Sequence, residues 1–364
     1  MSGAADAADA GEFDARWYEA AYPAVRSDLA QGRAADAWDH YLTLGRHRGY
    51  LPHRMSERPA NPVAHRSAFG GLWTDQSNAL DLIEGKLALG WISEAEAEQL
   101  RRWIADGFVV LPQAVSDGLV EPALNDLQRA FDGEVEGQQF VVEGRPGRFG
   151  WAPFVRDEPA KAIDVHERSV ALQNLSFAPA ILRFLALIFE RPALATQSLG
   201  FLRGSAQEAH QDSRVVAYTA ALQFAASWIA LEDVTPGAGE LFYYVGSHRL
   251  PDYLYAGRHK NQYDAQRLEP GRDIEAEAAG HDRDLHRRSR EMGLRAETLQ
   301  VKRGDVMIWS GDLAHGGRPI SNTATRRSLV THYCPQDIAP LSCERRRREV
   351  RPHPSGAAYL VEAG

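Results

Sequence analysis

His210, Gln211 and Asp212 put an imidazole and a carboxylate two residues apart. On a strand, residues i and i+2 face the same way, roughly 6–7 Å apart along the backbone, so both side chains can reach one ion. Histidine and carboxylate together suit Fe(II), and a two-histidine, one-carboxylate face leaves three coordination positions open. Two of those can take a chelating cosubstrate and the third O2. The spacing alone is weak, because histidine and acidic residues are common enough in this chain to produce it by chance.

The surroundings carry more. Asp305 to Trp309 reads as an apolar strand after a turn at Gly304, and it leads into Gly311-Asp312-Leu313-Ala314-His315-Gly316-Gly317. A histidine beside glycines just past a buried strand is a candidate third ligand. Arg326 follows 11 residues later and opens a strand predicted over 326–333. A buried guanidinium grips a carboxylate through two parallel hydrogen bonds. It would fix the far end of a dicarboxylic cosubstrate while the keto-acid end chelates the metal. His248, in Gly246-Ser247-His248, reads as a turn organiser. His332, Trp228, Tyr243 and Tyr244 read as core or pocket wall.

These residues need a scaffold that brings distant strands together. Strands are predicted at 199–202, 215–218, 226–231, 241–245, 300–301, 306–309 and 328–333, with Gly, Pro and Asp between them. Long helices do not alternate with them, which argues against a parallel sheet and for an antiparallel sandwich or jelly roll. Upstream, Ser93 with Glu96 marks a helix start. A short strand, 108–111, precedes a helix capped by Ser116, and helix returns over 168–190. The charged stretch 251–298 is too long for a plain loop and is predicted to be a helical or mobile flap.

The chain has 364 residues, 44% hydrophobic and 25% charged, which is ordinary globular usage. A net charge of −8 disfavours a nucleic-acid partner. No stretch approaches a membrane span, Met1 to Glu12 lacks the features of a secretory signal, and the two cysteines, Cys334 and Cys343, fit a reducing compartment, so a cytoplasmic protein is expected. The expected organisation is a flexible tail (1–12), a small helical module (13–52), a linker and lead-in (53–92), the β domain (93–340) with its flap, and a basic C-terminal segment (341–364). The run Arg345 to Arg348 with Arg351 is read as a solvated face or tail.

Several motifs in order resemble the phytanoyl-CoA dioxygenase family: Gly107 to Leu111, Gln197-Ser198-Leu199, His210-x-Asp212, Trp228 to Asp233, Gly239, Gly246-Ser247-His248, Gly304-Asp305, His315-Gly316 and Arg326. The resemblance spans about two-thirds of the chain, residues 95–340. It implies a double-stranded β-helix, a mainly β core with flanking helices, that uses Fe(II), 2-oxoglutarate and O2. It implies that His210, Asp212 and His315 hold iron, that Arg326 binds the side carboxylate of 2-oxoglutarate, and that Gln197 contacts cosubstrate or substrate. Many relatives carry Ser where this chain has Gly317, so Ser328 or Thr331 is expected to supply the missing hydroxyl. Asp212 favours hydroxylation of a small molecule over halogenation, since halogenating relatives replace this carboxylate.

Residues 13–52 resemble a short motif of bacterial glycosyltransferases and envelope-associated proteins, carried by Phe13, Asp14, Tyr22, Pro23, Val25, His40, Tyr41, Leu42, Gly45, Gly49 and Pro52. This suggests a saccharide- or envelope-related substrate and a protein partner for the module. A non-catalytic scaffold with a vestigial metal site stays open as the alternative. A zinc hydrolase on the same triad would leave Arg326 unexplained.

Overall fold

The computed structural model describes residues 13–45, 67–341 and 348–363. The predicted tail, Gly49, Pro52, the first part of the predicted linker, Cys343 and Arg345, Arg346 and Arg347 lie outside the described residues. The described chain forms two compact units: 13–45 with 76–101, and 67–75 with 102–341 and 348–363.

The first unit begins with α1 (Ala15–Ala21), α2 (Pro23–Ala30) and α3 (Ala37–His40), which runs into a π turn at Tyr41–Gly45. Two helices were predicted here and three short ones form. Asp14 caps α1, Pro23 opens α2 and Asp36 caps α3, so each has its own start signal. Tyr18, Val25, Ala37 and Tyr41 form the buried centre. Gly45 is required by close packing, because a Cβ there would lie 1.8 Å from Tyr18 Oη. The lead-in end of the stretch predicted as linker and lead-in contains α4 (Ala79–Ala88). Its Ala79, Leu82, Ile83 and Lys86 share one buried face at helical spacing, a signal that nearby glycines obscure in the sequence. Next comes α5 (Glu94–Asp106), which has the predicted capping box: Ser93 N–H donates to Glu96 Oε2 at 2.8 Å and Glu96 N–H to Ser93 Oγ at 3.3 Å.

The second unit is built on β strands. After β1 (Phe108–Leu111) come α6 (Asp117–Phe131), β2 (Gln139–Val142), β3 (Ala160–Ile163), α7 (Val170–Ser176) and α8 (Pro179–Phe189). Then follow β4 (Ala193–Phe201), β5 (Ala225–Ala230), β6 (Leu241–Tyr244), α9 (Gln262–Leu268), α10 (Ile274–Glu291), β7 (Ala296–Thr298), β8 (Val306–Ser310), β9 (His315–Gly317), β10 (Ser328–Pro335), β11 (Arg348–Pro352) and β12 (Ala358–Glu362). The large sheet runs β1-β8-β5-β10-β4-β12-β11, with β3 also on β4 and β2 on β3. All its pairs are antiparallel except β12 with β4. The small sheet is β7-β6-β9, also antiparallel.

The central strands β5 and β10 are buried along their whole length, which a one-sided sheet would not allow. The outer face is covered by helix: Thr331 Oγ1 meets Ser176 Oγ at 2.9 Å, and Tyr333 Oη donates to the Ser176 carbonyl at 2.6 Å. Ser328, Val330 and His332 therefore face inward. Between the sheets, Phe201, Trp228, Met307, Trp309 and Val330 pack with Leu241 and Tyr243 of β6.

Three expectations are corrected. Residues 215–218 and 300–301 are not strands: Asp212–Arg214 winds a 3-10 turn, and the strand of the second region is β7. The basic C-terminal stretch is solvated only in part where it is described: Arg351 is 57% exposed, but Arg348 is not. Arg348 starts β11 and is held by Asp164 and Glu167, with all three side chains 9–10% exposed. The sequence shows the run of like charges but not the two carboxylates that neutralise it. In the 251–298 insertion, the helical expectation is met by α9 and α10.

Candidate metal centre

One rung of backbone pairing brings the two histidines together. His210 N–H donates to the His315 carbonyl at 2.9 Å, and His315 N–H donates back to His210 at 3.0 Å. Such mutually bonded antiparallel partners project their side chains to the same face, and the two rings stand 4.5 Å apart, centre to centre. Asp212 enters from the 3-10 turn that follows, whose Ser213 N–H is anchored on the Gly311 carbonyl at 2.9 Å. The ligand atoms of His210, Asp212 and His315 all lie within 4.8 Å of one another, and all three residues are buried.

The second nitrogen of each ring has a job. His210 Nδ1 lies 2.9 Å from the Glu208 carbonyl, and His315 Nδ1 lies 2.9 Å from the Leu313 carbonyl. A carbonyl only accepts, so Nδ1 carries the proton and Nε2 keeps a free lone pair. Those Nε2 atoms lie 3.6 and 3.7 Å from the Asp212 carboxylate. Burial pushes His315 down to about 4, against the pull of Asp212, so the ring is neutral as a ligand must be. Burial alone would raise Asp212, but His315, His210 and His332 outweigh it and hold the carboxyl well below its usual range. Trp309 Nε1 donates to Asp212 Oδ2 at 2.9 Å and orients the carboxylate. These donors fit one divalent metal with open positions beside it.

Arg326 is buried, and its guanidinium lies 5.4 and 5.5 Å from the rings of Phe201 and Trp228. It donates to the Gly239 carbonyl at 3.0 Å, but its Nε has no partner, and among the described residues no carboxylate forms an ion pair with it. Burial lowers it to about 10, which leaves it cationic at neutral pH. Trp228 Nε1 and Ser328 Oγ, on the same inward face, are also buried without partners. Three donors await an acceptor here, and an unpaired buried cation is costly unless an anion arrives.

The remaining predicted residues sort clearly. Gln197 Oε1 lies 3.1 Å from His332 Nδ1, and His332 Nε2 lies 3.6 Å from Asp212 Oδ2. His332, read as core, thus connects Gln197 to the metal ligands. Thr331 faces the helices and offers no hydroxyl to the site. Gly317 leaves no room for a serine, since a Cβ there would lie 2.7 Å from Ser205 Oγ and 2.9 Å from Ala206 N. His248 is structural: Nε2 lies 3.2 Å from the Ile104 carbonyl, and burial pushes the ring down to about 3.

Two features escaped the sequence. Lys161 on β3 bonds Gln207 Oε1 and is lowered by burial in the field of Asp212, Arg214 and Arg326. Lys260 of the insertion is buried between Asp252 at 2.6 Å and Asp312 at 2.8 Å. Asp312 accepts from Ser213 Oγ, and its carbonyl accepts from Gln211 Nε2 at 2.6 Å. The insertion is therefore tied to both loops that carry ligands.

Fold and site together give a two-sheet β protein with a buried histidine–aspartate–histidine triad that could hold a metal ion. The chain belongs to the phytanoyl-CoA dioxygenase family, whose sequence profile matches residues 103–328. Among solved structures it is similar to the non-haem alpha-ketoglutarate-dependent epimerase SnoN from nogalamycin biosynthesis, at 19% identity over 68% of this chain and 85% of that one, with a TM-score of 0.50. The complex of SnoN with Fe3+, alpha-ketoglutarate and nogalamycin RO matches at 19% identity, over 68% and 86% of the two chains, with a TM-score of 0.50. EctD from S. alaskensis in its apoform matches at 17% identity, over 77% and 84%, with a TM-score of 0.46. At 19% identity the likeness to the two SnoN structures speaks for fold alone. No curated protein matches the sequence significantly. Among the described residues, no single helix is long and apolar enough to cross a membrane.

Proposed function

We propose that this chain is a non-haem Fe(II)- and 2-oxoglutarate-dependent dioxygenase that hydroxylates an unactivated C–H bond of a small molecule. Its two sheets are read as the two halves of a double-stranded β-helix. The observation that carries the proposal is the pairing of two sets of unsatisfied groups: two imidazole lone pairs beside one carboxylate, and a buried guanidinium in no ion pair and with its Nε unpartnered. His210, Asp212 and His315 would hold the iron. Bound there, ferrous iron with 2-oxoglutarate supplies the oxidising chemistry, in which O2 gives one atom to the succinate formed as CO2 leaves and the other to the substrate as hydroxyl.

The protein's part is placement. Arg326 takes the side carboxylate of 2-oxoglutarate through charge-assisted hydrogen bonds, with Ser328 Oγ and Trp228 Nε1 as further donors. Gln197 acts through His332, which keeps the Asp212 carboxylate aimed at the metal. Asp212 itself fills the position that a halide would need, which favours hydroxylation. A cytoplasmic setting goes with this reading, because ferrous iron requires reducing conditions.

Anaerobic addition of Fe(II) and 2-oxoglutarate tests the proposal. A weak visible charge-transfer band is expected, followed by succinate when O2 is admitted. A folded protein that gives neither is a scaffold with a vestigial site.

A further inference from the structure

Four buried side-chain atoms without hydrogen-bond partners belong to one corner beside the metal triad: Arg214 Nε, Asp282 Oδ1, Tyr255 Oη and His281 Nδ1. Arg214 ends the 3-10 turn that starts at Asp212, whereas Tyr255, His281 and Asp282 come from the insertion. Arg214 Nη2 and Asp282 Oδ2 are 3.2 Å apart, and their side chains are 14% and 19% exposed, so this pair forms the rim of the corner. The Tyr255 and His281 rings lie 6.4 Å apart, and Tyr253 stacks on His281 at 4.2 Å. Tyr255, His281 and Asp282 all feel the charge of Arg214.

Native interiors leave few polar atoms unmet, and each one destabilises the fold. Here an N–H donor, a carboxylate acceptor, a phenol and an imidazole nitrogen gather where the insertion covers the metal loops. Arg214 and Asp282 cancel in charge. Burial pushes His281 down to about 3 and keeps the Tyr255 phenol protonated, so the corner as a whole is neutral. An acyl chain would leave all four groups unsatisfied. An anion would meet Asp282. A neutral molecule with hydroxyls on neighbouring carbons can both donate and accept, and it satisfies the set.

We propose that Arg214, Tyr255, His281 and Asp282 are the substrate-recognition groups of this enzyme, and that its substrate is a neutral, polyhydroxylated, sugar-like small molecule. This inference rests on the oxygenase reading above. The four atoms are covered while the insertion lies closed, so the substrate loads with α9 and α10 displaced and its hydroxyls then replace the water of the open form.

The full-length protein with Fe(II) and 2-oxoglutarate, held without O2, is titrated with two probe sets: methyl glycosides and inositol, and apolar acyl thioesters of similar size. A polyhydroxylated probe is expected to perturb the visible band, raise Tm and speed succinate release once O2 enters. Asp282→Asn and Tyr255→Phe are each expected to weaken that probe about tenfold, as loss of one hydrogen bond to a buried group would, with 2-oxoglutarate affinity unchanged. The proposal is overturned if only acyl probes act, if no polyhydroxylated probe binds although the band forms, or if neither substitution weakens binding, in which case water satisfies the four groups. Failure of the band itself would instead sink the oxygenase reading, and Tm shifts would still report probe binding.

Discussion

In the helical unit, His40 lies between Tyr18 and Asp28, with Nδ1 2.9 Å from Tyr18 Oη and Nε2 2.9 Å from Asp28 Oδ2. In the β unit, His210 and His315 also lie beside one aspartate, equally buried, but only Nδ1 of each ring is engaged and both Nε2 atoms face a shared point. Both sites set a buried histidine beside an aspartate. What differs is whether the last nitrogen has a partner within the fold. A closed chain of hydrogen bonds stabilises; an open one binds. The comparison breaks most sharply under matched substitutions. His210→Ala is expected to abolish Fe(II) binding and succinate formation while the apo protein keeps its fold. His40→Ala is expected to cost the helical unit about 2–4 kcal/mol, because a fully buried network loses its centre, with iron binding untouched. Thermal denaturation of the two variants beside an anaerobic iron titration reads both effects.

The same contrast recurs between two buried arginines. Arg348 is neutralised by Asp164 and Glu167, whereas Arg326 forms no ion pair among the described residues and feels only the more distant charge of Glu240. Removing Arg348 strands two buried carboxylates, so Arg348→Ala is expected to lower stability by about 3 kcal/mol and leave 2-oxoglutarate affinity alone. Arg326→Leu removes a buried charge that no ion pair compensates and fills much of its volume, so the apo protein should lose little stability. Its affinity for 2-oxoglutarate should fall about 100-fold, as loss of two charge-assisted hydrogen bonds would give. Titration of the visible band with 2-oxoglutarate separates the two variants; equal losses in both would mean that Arg326 is a structural cation.

These contrasts were legible in the sequence to different depths. His315 could be read because a strand, a turn and glycines are local patterns. The His210 and Asp212 spacing was legible too, although for a partly mistaken reason: a single rung of pairing and a 3-10 turn, not a strand, aim the two side chains. That turn depends on the Gly311 carbonyl, about a hundred residues away, and local pattern cannot show it. Arg348 looked like a solvated charge because its carboxylates sit far back in the chain. His332 looked like core because alternation gives its face but not what lies opposite, which is Gln197 across the β4 pairing. Strand existence follows from local chemistry, and partnership follows from topology.

Trp309 offers the finest division between a metal site and a packed core. Its ring belongs to the apolar cluster between the sheets, and its Nε1 donates to Asp212 at 2.9 Å. Trp309→Phe keeps most of the apolar surface and removes the donor. If the indole only fills space, the substitution should trim stability slightly and leave iron affinity unchanged. If it orients the carboxylate, iron affinity should fall by about tenfold, the lower end for loss of a group that orients a ligand, and 2-oxoglutarate binding to the metal-loaded protein should stay near its original strength. The effect is expected to be smaller than that of Arg326→Leu because Asp212 keeps the charge that the metal requires, and only its aim is loosened.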